Sequence, residues 1–327
     1  MRVVLAAQEP KKAVRVQAIS RSLSKRSTVR ILEPLLKVRS LGKVPSALLR
    51  YGVYALQEGL VSCDVLHIFS SPDFIHLLSL IRDAKLCYDY RSNYAEKLSL
   101  QYKALGSLAA LVERKLASRA DTLLSVNDIL ASRLRTLVGK RVYVVPNYPS
   151  RRFRARRGRE EVLRELGVSG PIALFVGGLT YTYDFNLILE AASELKQVYF
   201  ILIGSGPLWN HLKSKAPANT LLLGWRPHDQ VADYIEAADV CLAPVRSYTT
   251  KPVSNDQDVW KVSEYASFSK PIIATGLAPS KQYLLVQGVR GFVQGIAEAL
   301  RGRVPRPEPR FWEDHSERVL FEAYGFR

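Results

Sequence analysis

Two pairs of glycines follow apolar segments in the second half of the chain. Gly177 and Gly178 come directly after ALFV, and Gly204 and Gly206 come after YFILI. Because glycine lacks a Cβ atom, backbone N–H groups at such positions can approach a diphosphate closely. Each pair alone is also what an ordinary turn between a strand and a helix contains. Two pairs on adjacent strand ends together outline a crevice for an anionic group.

A basic and an acidic residue lie three positions apart in the segment KVSEY. On a helix, Lys261 and Glu264 are one turn apart and share a face. A carboxylate there can accept hydrogen bonds from both ribose hydroxyls of a nucleotide. An ammonium there can pair with the negative charge of a phosphate group. The simpler interpretation of Lys261 is a surface lysine.

Short apolar segments alternate with helical stretches along the chain, which predicts α/β domains with parallel sheets. The apolar segments are residues 2–7, 65–69, 85–90, 122–126, 173–178, 199–207, 221–225, 240–244 and 271–275. An arginine-rich connector after Pro146 separates two runs of this pattern. We therefore predict a first domain over residues 1–150 and a second over 151–305. Residues 306–327 are predicted to form a helix that packs back on the first domain, because its apolar residues share one face.

Four ordered segments make the second half specific: FVGGL, ILIGSGP, LLLGWRPHDQVADYIEAADVCLAP and KVSEYASFSKPIIAT. This order resembles the nucleotide-sugar domain of GT-B glycosyltransferases, in particular the retaining family 4 (group 1). The resemblance is close over about residues 172–276 and holds only by pattern in the first half. It implies two doubly wound, Rossmann-like domains that face each other across a cleft. The first would bind the acceptor and the second the nucleotide-sugar.

The resemblance also implies a reaction. A sugar would pass from a donor such as a UDP- or GDP-sugar to a lipid-linked or glycan acceptor, with retention of the anomeric configuration. The family generally works without a metal, and the sequence has no histidine cluster that would hold one. We therefore expect no cofactor besides the donor substrate itself.

Roles for acidic residues follow from the same resemblance. In the family a Glu, seven residues and a second Glu mark the donor site, and here that pair is Asp256 and Glu264. Glu264 would hold the ribose, and Asp256 would face the hydroxyls of the transferred sugar. N–H groups near Asp258 and Val259 would face the diphosphate. The alternative is a solvated helix start in which Asp256 or Asp258 is the N-cap.

The cations of the family's donor site are missing from this chain. The family usually has an Arg directly after the Gly at 177 and a Lys some six residues on, whereas this chain has Gly178 and a Tyr-rich segment there. Lys261 resembles the Lys of shorter family members that read K-x-x-E-Y, so it is the expected catalytic cation. Arg246 and Lys251 are the alternatives. The base would be met by the segment after the third strand of this domain, which contains Gly224, Trp225 and Arg226.

Candidates in the first half are weaker. The family often has a His after the fourth strand, near the sugar, but the comparable segment CYDYRSNY has none, so Asp89 or Arg91 would take its place. Two histidines in apolar segments, His67 and His76, are interpreted as structural. The first loop contains cations that would either meet an acceptor phosphate or be solvated: Lys11, Lys12 and Arg15.

Positive charge is concentrated in the first half. Residues 1–150 carry a net charge of +13 out of +17 for the chain, which favours an anionic partner such as a membrane surface, a phosphorylated acceptor or nucleic acid. The segment 35–56 alternates apolar residues with four cations and contains no acidic residue, as an interfacial segment does. These cations are Lys37, Arg39, Lys43 and Arg50. The alternative is that its apolar residues face the domain core.

These features predict a cytoplasmic enzyme bound peripherally to the inner face of the cell membrane, since no apolar run reaches the ~18 residues of a membrane helix. Two other classes of protein stay open. A GT-B protein that has lost its chemistry and acts as a scaffold or binding subunit would explain the missing Arg/Lys pair. A nucleic-acid-binding protein would explain the basic first half, but no recognised module is present, so we expect no nucleic-acid partner.

Overall fold

The computed structural model describes residues 1–7, 13–35, 43–70, 72–100, 102–247 and 252–326, and of residues 43–48 the backbone only. The chain divides into two compact units. The first comprises Met1–Pro146 with Glu313–Arg327, and the second comprises Asn147–Trp312. Division therefore occurs at Pro146, just ahead of the arginine-rich connector.

The first unit is built on a parallel six-stranded sheet with the order β2-β1-β3-β4-β5-β6. Helices connect successive strands, so the central strands β3 and β4 are buried on both faces, except at the first residue of β4. The elements are β1 Arg2–Ala6, α1 Val14–Leu23, β2 Thr28–Leu32, α2 Lys43–Leu60, β3 Val65–Phe69, a 3-10 helix Asp73–Ile81, β4 Lys85–Tyr90, α3 Tyr94–Ser99, α4 Lys103–Arg119, β5 Thr122–Ser125, α5 Asp128–Val138 and β6 Tyr143–Val144.

The C-terminal helix α12, Ser316–Ala323, belongs to this first unit. It contacts α1, β5 and β6. Leu320 is fully buried, and the Tyr324 hydroxyl lies 2.6 Å from His67 Nδ1 of β3. The apolar side of α12 is thus covered by the strands and helices of the first unit.

The second unit is built on another parallel six-stranded sheet, with the order β12-β11-β10-β7-β8-β9. Its apolar strands lie between two layers of helices. The elements are α6 Arg159–Leu166, β7 Ile172–Val176, α7 Phe185–Glu194, β8 Tyr199–Ile203, α8 Trp209–Lys215, β9 Thr220–Gly224, α9 His228–Ala237, β10 Val240–Pro244, α10 Trp260–Ser267, β11 Ile272–Thr275, β12 Leu284–Leu285 and α11 Gly288–Leu300.

Strand order determines where a ligand can bind in the second unit. The chain runs from β7 to β8 and β9 on one side, and then returns to place β10 and β11 on the other side. Loops that leave the carboxyl ends of β7 and β10 therefore diverge, and the crevice between them is where open α/β sheets bind ligands. The predicted α/β class with two doubly wound sheets is confirmed.

None of the described helices combines the length and the apolarity that a membrane crossing requires.

Candidate functional site

Glycine is required where the loops after β7 and β8 pack against each other. Gly177 and Gly204 have φ values of +146° and +145°, a conformation that side chains disfavour. A Cβ atom on Gly204 would lie 1.9 Å from the Gly177 carbonyl oxygen, and one on Gly206 would lie 2.4 Å from the Leu179 carbonyl oxygen. Gly178 has room for a side chain. Gly204 and Gly206 thus let two backbone loops meet at one edge of the sheet, and Gly177 adopts the positive φ that the first loop requires.

Lys261 points from the first turn of α10 into this pair of loops. Only 6% of the residue is exposed, and its Nζ lies 3.4 Å from the ring centroid of Tyr183 and 3.9 Å from that of Phe175. A Cβ atom on Gly177 would be 2.6 Å from Nζ, so the absence of a side chain at 177 makes room for the amine. The surface-lysine interpretation is therefore wrong.

The Lys261 amine has no hydrogen-bond partner in the structure. Burial lowers the pKa of Lys261 well below its usual value, and the nearby Glu264 carboxylate raises it only in part. Two aromatic faces offer a cation some stabilisation, but they do not replace an anion. The Lys261 amine is thus a buried basic group beside Gly177 without a hydrogen-bonded anion.

Glu264 lies one turn further along α10 and is mostly buried. Its Oε1 is 2.7 Å from Nε2 of His228, the first residue of α9. The His228 ring is half exposed and stacks on Phe153 with a centroid distance of 4.6 Å. His228 was not among the predicted residues, although a histidine directly after a proline at a helix start is a usable signal. His228 holds the carboxylate that is predicted to bind ribose.

Asp256 is buried and already has partners. Its Oδ1 accepts a hydrogen bond from the Ser280 hydroxyl at 2.5 Å, and its Oδ2 lies 3.5 Å from Arg310 Nη1. The Ser263 hydroxyl donates to the Asp256 carbonyl at 2.6 Å and ties this loop to α10. Asp256 is thus held in place beside α10 by three side chains, none of which was predicted.

Neither Asp256 nor Asp258 is the N-cap of α10. The N-cap position is Val259, which makes no side-chain capping bond, and the Asp258 carboxylate accepts from the Asn255 N–H at 2.7 Å within the preceding turn. The Val259 N–H donates to the Asn255 carbonyl at 3.2 Å. Contrary to the prediction, the Val259 N–H is therefore satisfied within the turn rather than directed at a ligand.

An exposed aromatic residue follows β9. Gly224 has a φ of +73° and its carbonyl accepts from the Gly204 N–H at 2.8 Å, so the β9 loop joins the two glycine loops. Trp225 is 68% exposed, and Arg226 Nη1 donates to the Trp225 carbonyl at 3.3 Å. The indole ring offers a flat surface at the same edge of the sheet.

The alternative cation Arg246 has a partner of its own. Its Nη2 donates to Asp184 Oδ1 at 3.0 Å, and its backbone N–H donates to the Thr182 carbonyl at 2.9 Å. Lys251, the other alternative, lies outside the described residues. Of the described candidates, Lys261 alone combines burial with an amine that lacks a partner.

Asp89 is buried within the first unit. Its carboxylate accepts hydrogen bonds from Arg15 Nε at 2.7 Å and Nη2 at 2.9 Å, and His67 Nε2 is 3.6 Å away. Although burial opposes ionisation, Arg15 and His67 hold the pKa of Asp89 below its usual range. Neither Asp89 nor Arg15 reaches solvent. The predictions of a catalytic Asp89 and of a solvated or acceptor-binding Arg15 therefore do not fit, because the two form a buried ion pair.

The other first-unit candidates are also mainly structural. Arg91 is largely buried and donates from Nη2 to the Ser70 carbonyl at 2.9 Å. His76 lies between the Glu58 carboxylate, 2.6 Å from Nδ1, and the Phe69 carbonyl, 3.0 Å from Nε2. Two predicted cations of the first loop lie outside the described residues: Lys11 and Lys12.

Comparisons with known proteins match the part of the chain that contains this site. Residues 170–301, which contain both glycine loops and α10, match the family model described as glycosyl transferases group 1. A protein of Bacillus subtilis strain 168, named "Putative teichuronic acid biosynthesis glycosyltransferase TuaH", is 24% identical over 239 residues, which is 69% of this chain. The match covers 59% of that relative, so the chain spans about three fifths of its length.

Solved structures share the fold of the whole chain. Sucrose-phosphate synthase from Thermosynechococcus elongatus has a TM-score of 0.73 and 14% identity, over 99% of this chain and 94% of its own. Anabaena Alr3699/HepE in complex with UDP-glucose has a TM-score of 0.67 and 10% identity, over 99% and 95%. WaaG, a glycosyltransferase involved in lipopolysaccharide biosynthesis, has a TM-score of 0.64 and 11% identity, over 99% and 94%.

These likenesses show that the chain has the fold of the GT-B glycosyltransferases. Within that fold, residues 170–301 match the model of the group 1 glycosyltransferases, so the resemblance drawn from the sequence is confirmed.

Proposed function

We propose that the protein is a glycosyltransferase that moves a sugar from a nucleoside diphosphate sugar to a membrane-associated acceptor, lipid-linked or glycan. One observation carries this proposal: the buried Lys261 amine faces Gly177 at the carboxyl end of β7 and has no hydrogen-bond partner. A buried ammonium is costly unless an anion compensates for it. A diphosphate over the glycine loops would supply that anion, and the HepE structure with UDP-glucose supports this class of donor.

The geometry supports one orientation of the donor. The ribose hydroxyls would donate to Glu264, the base would lie on the exposed Trp225 ring, and the diphosphate would lie over Gly177 and Gly204 beside Lys261. As the bond to the sugar breaks, negative charge grows on the diphosphate. A cation fixed in a site without water stabilises that charge more in the transition state than in the ground state.

We assign neutralisation of the leaving group to Lys261 and loop N–H groups. Metal independence is part of the proposal, because Lys261 and the loop N–H groups would supply the positive charge that a metal supplies elsewhere. Retention of the anomeric configuration is part of the proposal and rests on the group 1 family match.

We also propose a cytoplasmic location and peripheral attachment to the inner face of the cell membrane. The segment predicted to attach, residues 35–56, is only partly described: Lys37 and Arg39 lie outside the described residues, as does the side chain of Lys43. Arg50 is exposed, whereas Tyr54 is buried. The side chains that are described therefore divide between solvent and core, so this segment alone does not form the attachment surface.

Binding of nucleoside diphosphates tests the donor site. The panel is UDP, GDP, ADP and dTDP, each followed by thermal unfolding of the whole protein. A ligand at ~100 times its Kd adds about 2.7 kcal/mol to the free energy of unfolding, so at least one nucleotide should raise Tm by several degrees. If none of the four changes Tm up to millimolar concentration, the proposed donor site is wrong.

Diphosphate binding should take up a proton at Lys261. Burial lowers the pKa of this amine in the free protein, and an adjacent diphosphate will raise it again. Between those two pKa values the complex carries more protons than the free protein, so affinity should fall as pH rises through that window. Calorimetric titration in buffers of different ionisation enthalpy, at several pH values from about 6 to 9, measures the uptake. Lys261→Met should bind the nucleoside diphosphate without taking up this proton. Equal proton uptake by wild type and Lys261→Met would contradict the assignment of the proton to Lys261.

A further inference from the structure

Three neighbouring elements of the first unit present apolar side chains to solvent. The 3-10 helix packs against both α2 and α4. The rings of Tyr51 and Phe74 meet at 5.8 Å, and Arg119 Nη2 donates to the Arg82 carbonyl at 2.8 Å. The exposed apolar residues, which we call the apolar face, are Leu49, Leu56 and Leu60 of α2, Phe74, Leu77 and Ile81 of the 3-10 helix, and Leu105, Leu108 and Leu111 of α4.

The apolar face differs from a scatter of single exposed residues. Ile81 and Leu60 are 83% and 84% exposed, and Leu108 is 58% exposed. Residues of α4 at spacings of three or four lie on one side of that helix, while Val112 and Leu116 of the same helix are buried in the core. Nine large apolar side chains are exposed on these adjacent elements, and a large exposed apolar area marks an interaction surface.

Charges on these elements are sorted by sign. The acidic residue of each element is buried and has an internal partner: Glu58 lies against His76, Asp73 accepts from Tyr88, and Glu113 accepts from Tyr90 and Arg133. By contrast, the cations on the outer sides of α2 and α4 are exposed. Among the described side chains these are Arg50, Lys103, Arg114 and Lys115.

We infer that the apolar face is the surface by which the first unit docks on an anionic lipid bilayer. Leucines can enter the boundary between headgroups and acyl chains while lysine and arginine pair with anionic headgroups. A protein partner would require acidic groups opposite the cations, and a second copy of this face would place cation against cation. The inference extends the proposed function, since a membrane-associated acceptor requires an enzyme at the bilayer. Docking of the first unit can be measured whether or not the protein transfers a sugar.

Vesicle sedimentation tests the docking surface. The full chain is mixed with vesicles of phosphatidylcholine alone or with about one third phosphatidylglycerol, at low and high salt. We expect binding to the anionic vesicles and at least tenfold weaker binding to the neutral ones. Two triple variants, Leu105→Gln/Leu108→Gln/Leu111→Gln and Lys103→Gln/Arg114→Gln/Lys115→Gln, should each weaken binding to anionic vesicles at least tenfold. The second should also lose most of the salt dependence.

The control variant is Lys213→Gln/Lys215→Gln, which removes two exposed cations from α8 of the second unit and should bind as the wild type does. Thermal unfolding with the bound nucleoside diphosphate shows whether each variant is folded and retains its donor site. Equal binding to neutral and anionic vesicles, or unchanged binding of the leucine variant, would overturn the inference. So would a dimer in sedimentation velocity that the leucine variant abolishes while vesicle binding stays the same, because the face would then bind a second copy.

Discussion

Replacing Lys261 with methionine should lower kcat by about 100-fold or more while changing KM for the donor much less. The amine is the buried cation beside Gly177, and its charge is needed most as the diphosphate departs. Loss of one preorganised group that stabilises developing negative charge costs about 10²–10³ in kcat. Initial rates across a range of donor concentrations measure both constants.

The same substitution should stabilise the fold. Methionine has nearly the shape of lysine and can lie between the Tyr183 and Phe175 rings without a buried amine. For a unit of this size, Tm should rise by about 2–4 °C for each kcal/mol gained. Higher stability with lower activity separates a functional lysine from a structural one, because removal of a structural cation would lower both.

Two variants control for the choice of cation. Lys261→Arg keeps the charge but not the shape, so it should restore activity only in part. Arg246→Met removes a cation that is paired with Asp184 and should have a much smaller effect. If Lys261→Met retains the wild-type kcat while Arg246→Met or Lys251→Met abolishes it, a different cation acts on the leaving group.

Glu264→Ala should weaken binding of the preferred nucleoside diphosphate at least tenfold. It removes two hydrogen bonds to a charged acceptor, worth about 1.5–3 kcal/mol each. A 2′-deoxynucleotide sharpens the measurement: it lacks one of the two donors, so the loss caused by Glu264→Ala should be smaller with it than with the ribonucleotide. Calorimetric titration of the ribonucleotide and the 2′-deoxynucleotide, each into wild type and Glu264→Ala, gives the four affinities that this comparison needs.

Glu190→Ala is the matched control, because Glu190 is an exposed carboxylate on α7 of the same unit and should not affect affinity. Glu264→Ala should remain folded, since its partner His228 is half exposed and can be hydrated. Affinity that is the same in wild type and Glu264→Ala for every nucleoside diphosphate would remove the ribose assignment.

Much of the fold could be predicted because alternation of apolar strands and helices is a local signal. The strands β7 to β11 coincide with predicted apolar segments. Helix α11 was missed, because its glycines lower helix propensity. It forms through packing: a Cβ atom on Gly295 would lie 3.2 Å from Ile273 of β11, so glycine there allows close approach of helix and sheet. Edge strand β2 was missed because it is short and only half buried.

Part of the candidate site could also be predicted from local sequence, and part could not. The glycine loops, Lys261 and Glu264 could be found because the carboxyl ends of parallel strands meet at one edge of the sheet. Partners distant in the sequence could not be found. Arg310 reaches Asp256 from beyond α11, and Arg15 reaches Asp89 across the first sheet. No local pattern indicates that these charges are paired, so Asp89 was predicted as a functional group when it is a structural one.

Turnover of a nucleotide-sugar tests the central claim most directly. The purified chain is incubated with the donor of whichever nucleoside diphosphate binds, together with a bacterial membrane extract as the source of acceptor, and release of the nucleoside diphosphate is followed over time. We predict release that depends on the extract and that Lys261→Met reduces by about 100-fold or more. Binding of the nucleoside diphosphate without any release from the matching donors would contradict the account, and would indicate a GT-B binding subunit that has lost its chemistry.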